Sequence, residues 1–409
     1  MNYTAIAAEH YQKGEYKQAI EFFERAALSG DSLGYYNVGV CHQALKEYDK
    51  AIAFFEKAIP SGNHLAFYNI GVCHQDLKQY EQALLAYQKA LEINAECPLT
   101  LCNLSFVLSA MGQAKEGIAY ADKAYALAPA HPAIGATSLA LWCKVSPINE
   151  WVQIANKIMD NKNALESHKY LASIYSACAL WALEQKRFPI NYPAPITGYS
   201  WVENMGIYQQ LLQNLADQKD ESIYFEGPPV SMAGDSHVLS YAGLEHNNKK
   251  ISSQLIIGAK AFHIASEKPN RYQAAFKGHI ERLKPGSELL CCFGEIDCRI
   301  DEGIIPYQQK AGRNLKDVVE EQVTNYVQAV SRFAPNLDVT FVNIPAPVPG
   351  MGDRRDVVRL FNEQLSKLAK VVDVYAASVG DDGYAQAGKH VDQAHLKPEV
   401  FCQAEQVAL

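Results

Sequence analysis

The chain has 409 residues, enough for two or three domains with real cores, and 37 Lys+Arg stand against 45 Asp+Glu for a formal net charge of -8. Residues 1–190 hold 16 basic and 18 acidic side chains and the remainder 21 and 27, so neither half offers the basic surface a nucleic-acid partner needs. No apolar run approaches the ~20 residues that cross a bilayer, and Met1-Asn2-Tyr3-Thr4-Ala5 lacks the basic start and apolar core of a secretory signal, so a cytoplasmic protein is expected.

The first 130 residues repeat. Tyr36-Asn37-Val38-Gly39-Val40-Cys41-His42-Gln43 returns 32 residues later as Tyr68-Asn69-Ile70-Gly71-Val72-Cys73-His74-Gln75. Ala51, Phe55 and Ala58 are echoed by Ala83, Tyr87 and Ala90, backward by Ala19, Phe23 and Ala26, and more weakly forward by Gly117, Ala121 and Ala124. A small residue, a large one four later and Ala three after that share one helical face, so small residues let helices approach while the aromatic fills the gap. The period and pattern resemble tetratricopeptide repeats, which implies helix pairs stacked into an all-α superhelical solenoid. Residues 131–186 read as helical and are expected to continue or cap the stack, giving a repeat domain over 1–186.

Asn37, Asn69 and Asn103 occupy one point of successive repeats. The resemblance places them on the helix lining a concave groove, where an amide can bind the backbone of a protein or peptide partner. A solvated polar face or a helix–helix hydrogen bond explains them equally well. His42 and His74 read as packing residues rather than metal ligands. Cys41 and Cys73 read as small apolar fillers, and the ten cysteines, with no C-x-x-C pair, as reduced thiols.

Pro189, Pro193, Pro195 and Gly198 mark a linker, followed by a connecting helix around Trp201–Leu215, for a boundary segment of 187–220. From 221 to 409, strand-like runs at 229–233, 253–257, 288–293, 338–344 and 371–375 alternate with helical patterns at 269–283, 315–333 and 353–370. This alternation predicts a parallel sheet covered on both faces, with a ligand site at the carboxyl ends of its strands. Ser236, Gly258 and Gly294 follow the first three strands at that edge.

Gly234-Asp235-Ser236 and the late Asp392-Gln393-Ala394-His395-Leu396 supply a serine, a base and an orienting acid. Serine is a weak nucleophile until an imidazole takes its proton, and the imidazole needs a carboxylate to fix its tautomer. With Phe361-Asn362-Glu363-Gln364-Leu365, these stretches resemble the SGNH, or GDSL-type, hydrolases over about residues 225–405. The resemblance implies a flavodoxin-like three-layer α/β/α sandwich, an acyl-enzyme on Ser236, His395 as base and Asp392 as orienter, and an oxyanion facing the N–H groups of Ser236 and Gly258. It implies no cofactor and no metal, and an ester-bearing small molecule or acylated glycan as substrate. One block departs from the family's Gly-x-Asn-Asp: Gly294-Glu295-Ile296-Asp297-Cys298-Arg299 puts Ile296 where an Asn would donate to the oxyanion. The loss of such a donor costs ~10²–10³ in rate. Arg299 is expected either to compensate or, with Glu295 and Asp297, to form a structural ion pair. His263 is expected near the pocket, His237 to point away from Ser236, and His246, His279 and His390 to lie at the surface. A serine esterase or acyltransferase and an inactive binding module on a repeat scaffold are the two functional classes left open.

Overall fold

The computed structural model describes residues 2–184, 208, 210–216, 227–350 and 352–408. The Pro-rich segment and the start of the expected connecting helix lie outside them, while 210–216 is helical. The chain divides into two compact units, Met1–Leu141 and Trp142–Leu409. No described helix is long and apolar enough to cross a membrane.

The first unit is a stack of helix pairs: α1 (Tyr3–Gln12) with α2 (Tyr16–Leu28), α3 (Gly34–Ala44) with α4 (Tyr48–Ala58), α5 (His64–Asp76) with α6 (Tyr80–Ile93), and α7 (Pro98–Ala110) with α8 (Ala114–Leu127). The repeating glycine explains the pairing. A Cβ on Gly39 would lie 2.6 Å from the Phe55 ring, and one on Gly71 2.5 Å from the Tyr87 ring. The aromatic of each second helix therefore rests on the bare backbone of the first, and Phe55 and Tyr87 are fully buried there. His42 stacks on Phe54, with ring centroids 5.3 Å apart.

The helices Trp151–Met159 and Glu166–Glu184, read from sequence as the end of the repeat stack, cluster with the second unit instead. The Trp181 indole N–H donates to the Leu239 carbonyl at 3.0 Å, and the Ile148 N–H to Gln254 Oε1 at 3.3 Å. Their largely apolar buried faces suit burial against any core, so periodicity alone does not say which.

The second unit is α/β. Six strands lie in the order β2-β3-β1-β4-β5-β6: β1 Pro229–Gly234, β2 Glu245–His246, β3 Lys249–Leu255, β4 Glu288–Cys292, β5 Asp338–Val342 and β6 Val371–Val372. All neighbours are parallel except β2 and β3, a hairpin turned at Asn247 and Asn248, both with positive φ. β3 consequently starts right after the turn, earlier than its apolar run indicated. β6 is shorter than expected because Asp373 accepts from the Ala376 N–H and starts a helix at Val374–Ser378. The helices Leu315–Phe333 and Arg355–Leu368 fall on their sequence patterns. A chain of edge-to-face rings, Phe276, Phe293, Tyr326 and Phe341, fixes the core on one side of β4 and β5.

Candidate functional site

β1 is central, so its carboxyl end is flanked on both sides: Gly234 pairs with Leu255 of β3 and Cys292 of β4. The chain leaves the sheet there in a sharp turn. A Cβ on Gly234 would be driven into the Cys292 carbonyl and lie 2.7 Å from Val238 Cγ1. Ser236 emerges from this turn, and its carbonyl accepts from the Leu239 N–H as the chain coils into the short helix Val238–Tyr241.

The opposing side chain comes from 159 residues away. Ser236 Oγ donates to His395 Nε2 at 2.8 Å, and His395 Nδ1 faces Asp392 Oδ2 at 2.9 Å. Asp392 also accepts from the backbone N–H groups of Ala394 and His395, both at 2.8 Å, so one carboxylate shapes the turn and orients the ring. The loop is closed by a bridge between His390 and Leu396. Burial opposes charge on Asp392, yet the His395 ring and the two N–H groups hold its carboxyl far below the ordinary range.

The residues of the variant block are brought close by, in a different arrangement from a free cation at the oxyanion. Arg299 donates through Nε and Nη2 to Glu295 Oε2 at 3.0 and 2.9 Å. Arg354 Nη1 lies 2.6 Å from Glu295 Oε1. Glu295 and Arg354 are 5% and 4% exposed, so this is a buried charge cluster. Burial works against the Glu295 charge, but His237, Arg299 and Arg354 hold its carboxyl down at about 2. Asp297 accepts from the N–H groups of Ala261 and Phe262 at 2.8 and 3.1 Å, tying the turn after β4 to the loop after β3. Its burial pushes the carboxyl up to about 7.

Gly258 lies in that second loop with φ of +70°, and its backbone hydrogen-bonds the buried Tyr208 phenol. His263 accepts through Nδ1 from the Lys260 N–H and stacks on Tyr272 with centroids 4.1 Å apart. Burial lowers its pKa to about 4, which leaves a neutral ring serving its own helix start. His237 is buried, bonded to Asp235 and to the Ala394 carbonyl, beside the His395 ring. The expected surface positions of three histidines require correction. His246 is buried against Glu288 at 2.9 Å, His279 is half-buried and bonded to Ser231 Oγ at 2.6 Å, and His390 is half-buried in the loop that carries His395. His246 sits at the sheet edge, His279 on a helix against β1 and His390 at the loop closure, information absent from local sequence. A cavity of only about 10 Å³ lies behind these loops, with Asp235, His237, Glu295 and Asn343 supplying its polar wall.

Sequence reasoning missed Arg354 and the Asp235–His237 pair. The Asp-x-His spacing was a signal for the pair, whereas nothing near Arg354 announced a partner 59 residues away. No His/Cys/Asp/Glu group among the described residues is arranged to hold a metal ion.

In the first unit, Asn69 Nδ2 donates to the Tyr36 hydroxyl at 2.9 Å, and Asn103 Nδ2 to the hydroxyls of Tyr68 and Tyr87, both at 3.3 Å. Two of the three repeating asparagines thus spend their donors between repeats. Asn37 is half-buried on α3.

Models of the tetratricopeptide repeat match residues 2–28, 32–59 and 64–97. No curated protein matches the chain. Solved structures similar to it include YrrB, described as a TPR protein with an unusual peptide-binding site, at 22% identity over 39% of this chain and 84% of that one, with a TM-score of 0.33. TTC0263, a thermophilic TPR protein of Thermus thermophilus, is similar at 16% identity over 42% and 97%, with a TM-score of 0.34. MamA from Desulfovibrio magneticus RS-1 is similar at 20% identity over 34% and 81%, with a TM-score of 0.32. The first unit of this chain is a tetratricopeptide repeat array.

Proposed function

We propose that the second unit is an SGNH-type serine esterase or O-acyltransferase. The observation that carries this reading is the line Ser236 Oγ–His395 Nε2–Asp392, with 2.8 and 2.9 Å between its members. In this reading Ser236 attacks the carbonyl carbon of an ester while His395 Nε2 takes the hydroxyl proton. The carbon–oxygen bond of the leaving alcohol then breaks, and His395 returns the proton to it. Water or a second alcohol attacks the acyl-enzyme and releases the acid or a new ester. Asp392 keeps the proton on Nδ1, leaving Nε2 free to accept.

The strand order supports the flavodoxin-like sandwich. With the two-residue β2 set aside, the parallel strands run second, first, third, fourth, fifth, which is the doubly wound arrangement with its crevice at the end of the first strand. The N–H groups of Ser236 and Gly258 are the proposed oxyanion donors, the Gly258 N–H shared with the Tyr208 phenol and Ile296 in place of a third. Since Arg299 is engaged with Glu295, a slow enzyme is the consistent expectation, by ~10²–10³ relative to one with the extra donor. Small esters or acylated glycans are the substrate class by analogy of fold. The repeat array (1–186 as read from sequence, with a linker over 187–220 and the hydrolase over 221–409) would recruit a protein or peptide partner, Asn37 offering its amide to the bound backbone.

The second reading is a binding module without turnover, favoured by Ile296 alone. A fluorophosphonate probe separates the two. The expected result is labelling of the wild type and none of S236A, with H395A slowed ~10²–10⁴. A wild type that takes no label and turns over no ester between pH 6 and 9 rules out the enzyme.

A further inference from the structure

Two Asp–His pairs lie side by side at this site, and the mechanism above uses only one. Asp235 Oδ1 faces His237 Nδ1 at 2.8 Å and also accepts from the His237 backbone N–H at 3.0 Å. On the other side of the ring, His237 Nε2 faces the Ala394 carbonyl at 3.2 Å. A carbonyl oxygen only accepts, so Nε2 must carry a proton. Asp235 is 1% exposed and already accepts the backbone N–H with that same oxygen, so Nδ1 must carry one too. A ring with protons on both nitrogens is an imidazolium. His237 is 3% exposed, and its ring centroid lies 4.6 Å from that of His395.

We propose that His237 is a charged positioning residue, which grips the backbone next to the base and so holds His395 in line with Ser236. This rests on the serine-nucleophile reading. The grip falls on Ala394, between the two members of the Asp392–His395 pair, so loss of His237 frees the turn that aims the base. The charge makes the grip: only a ring protonated on both nitrogens donates to Asp235 and to the Ala394 carbonyl at once. The other charged or titratable groups facing this pair are few. Asp235 and Glu295 balance His237, Arg299 and Arg354 are bound to Glu295, Asp392 lies against His395, and His390 sits on the same loop. Burial opposes the His237 charge, but Asp235, with Glu295 and the Ala394 carbonyl, raises its pKa to about 9.

Two measurements on the full chain test this. In the first, the rate of fluorophosphonate labelling is followed from pH 7 to 10.5 for wild type, H237Q and S236A. The expected result is a wild-type rate that falls as the pH passes about 9, where His237 gives up its second proton, and an H237Q rate that is roughly tenfold lower below pH 8 and lacks that limb. Coincident profiles of wild type and a folded, labelled H237Q overturn the proposal. In the second, the imidazole ¹H–¹⁵N spectrum of histidine-labelled wild type at pH 7.5 should show His237 with both nitrogens protonated, and a ring with one proton overturns its charge. That spectrum decides the charge even where H237Q fails to fold. A wild type that never labels sinks the serine reading and the reactivity role with it, while the spectrum still reports on His237.

Discussion

Arg354 ties the turn after β4 to the start of the helix Arg355–Leu368 through one 2.6 Å contact with Glu295. Removing one member of a buried ion pair strands the other, at a cost of ~3–5 kcal/mol. Arg354→Met should therefore lower the urea-derived stability of the second unit by about 3 kcal/mol, whereas Arg299→Ala, at a half-exposed side chain, should cost ~1 kcal/mol or less. A second prediction comes from proton linkage. His237 has a folded pKa raised to about 9 from an ordinary value near 6.5, so its contribution is complete below ~6.5 and disappears as pH rises through about 9. Glu295 has the opposite sign: its stabilisation is present above ~4.5 and is lost as pH falls toward about 2. Thermal melts should thus show a falling midpoint between pH 7 and 9.5 in wild type and a flatter profile in H237Q. Ser236, Asp392 and His395 were legible in the sequence because short motifs in a fixed order carry them. The ion pair of Arg354 was not, since only the closed sheet brings residues 295 and 354 together.

Among the elements, β1 and its exit turn have the least tolerance. In G234A the new methyl meets the Cys292 carbonyl and Val238, so either β1 parts from β4 or the turn carrying Ser236 moves. The expected outcome is a protein that loses fluorophosphonate labelling even where circular dichroism shows retained secondary structure. The repeats depend on a different device. The bonds from Asn69 to Tyr36 and from Asn103 to Tyr68 run from one repeat to the one before it, each worth ~1 kcal/mol. N69A should lower the stability of the array by about that amount in a denaturant titration, and an unchanged titration would assign no stabilising role to the bond. The repeat helices were legible because glycine and aromatic recur in step. The extent of β3 was not, because the hairpin at Asn247 and Asn248 gains its strand through backbone conformation rather than through an apolar run.

At the scale of the whole molecule, the sequence distinguished an all-α part from an α/β part by period alone. By sequence, residues 142–184 go with the repeats, whereas their contacts cluster with the α/β part. Hydrogen bonds from Ile148 and Trp181 to residues beyond 230 show why, and such long-range bonds leave no mark on local periodicity.

The 159-residue separation of Ser236 and His395 has a consequence in time. Helices and repeat pairs form from nearby contacts, while β1 waits for strands and a loop encoded far downstream. If Ser236 is the nucleophile proposed above, a nascent chain is chemically silent until residue 395 has emerged and folded back onto the sheet. In refolding from urea, helical circular dichroism should therefore recover first, and competence to take the fluorophosphonate label should follow in a slower phase. Reactivity in this protein is then a report that the sheet has closed.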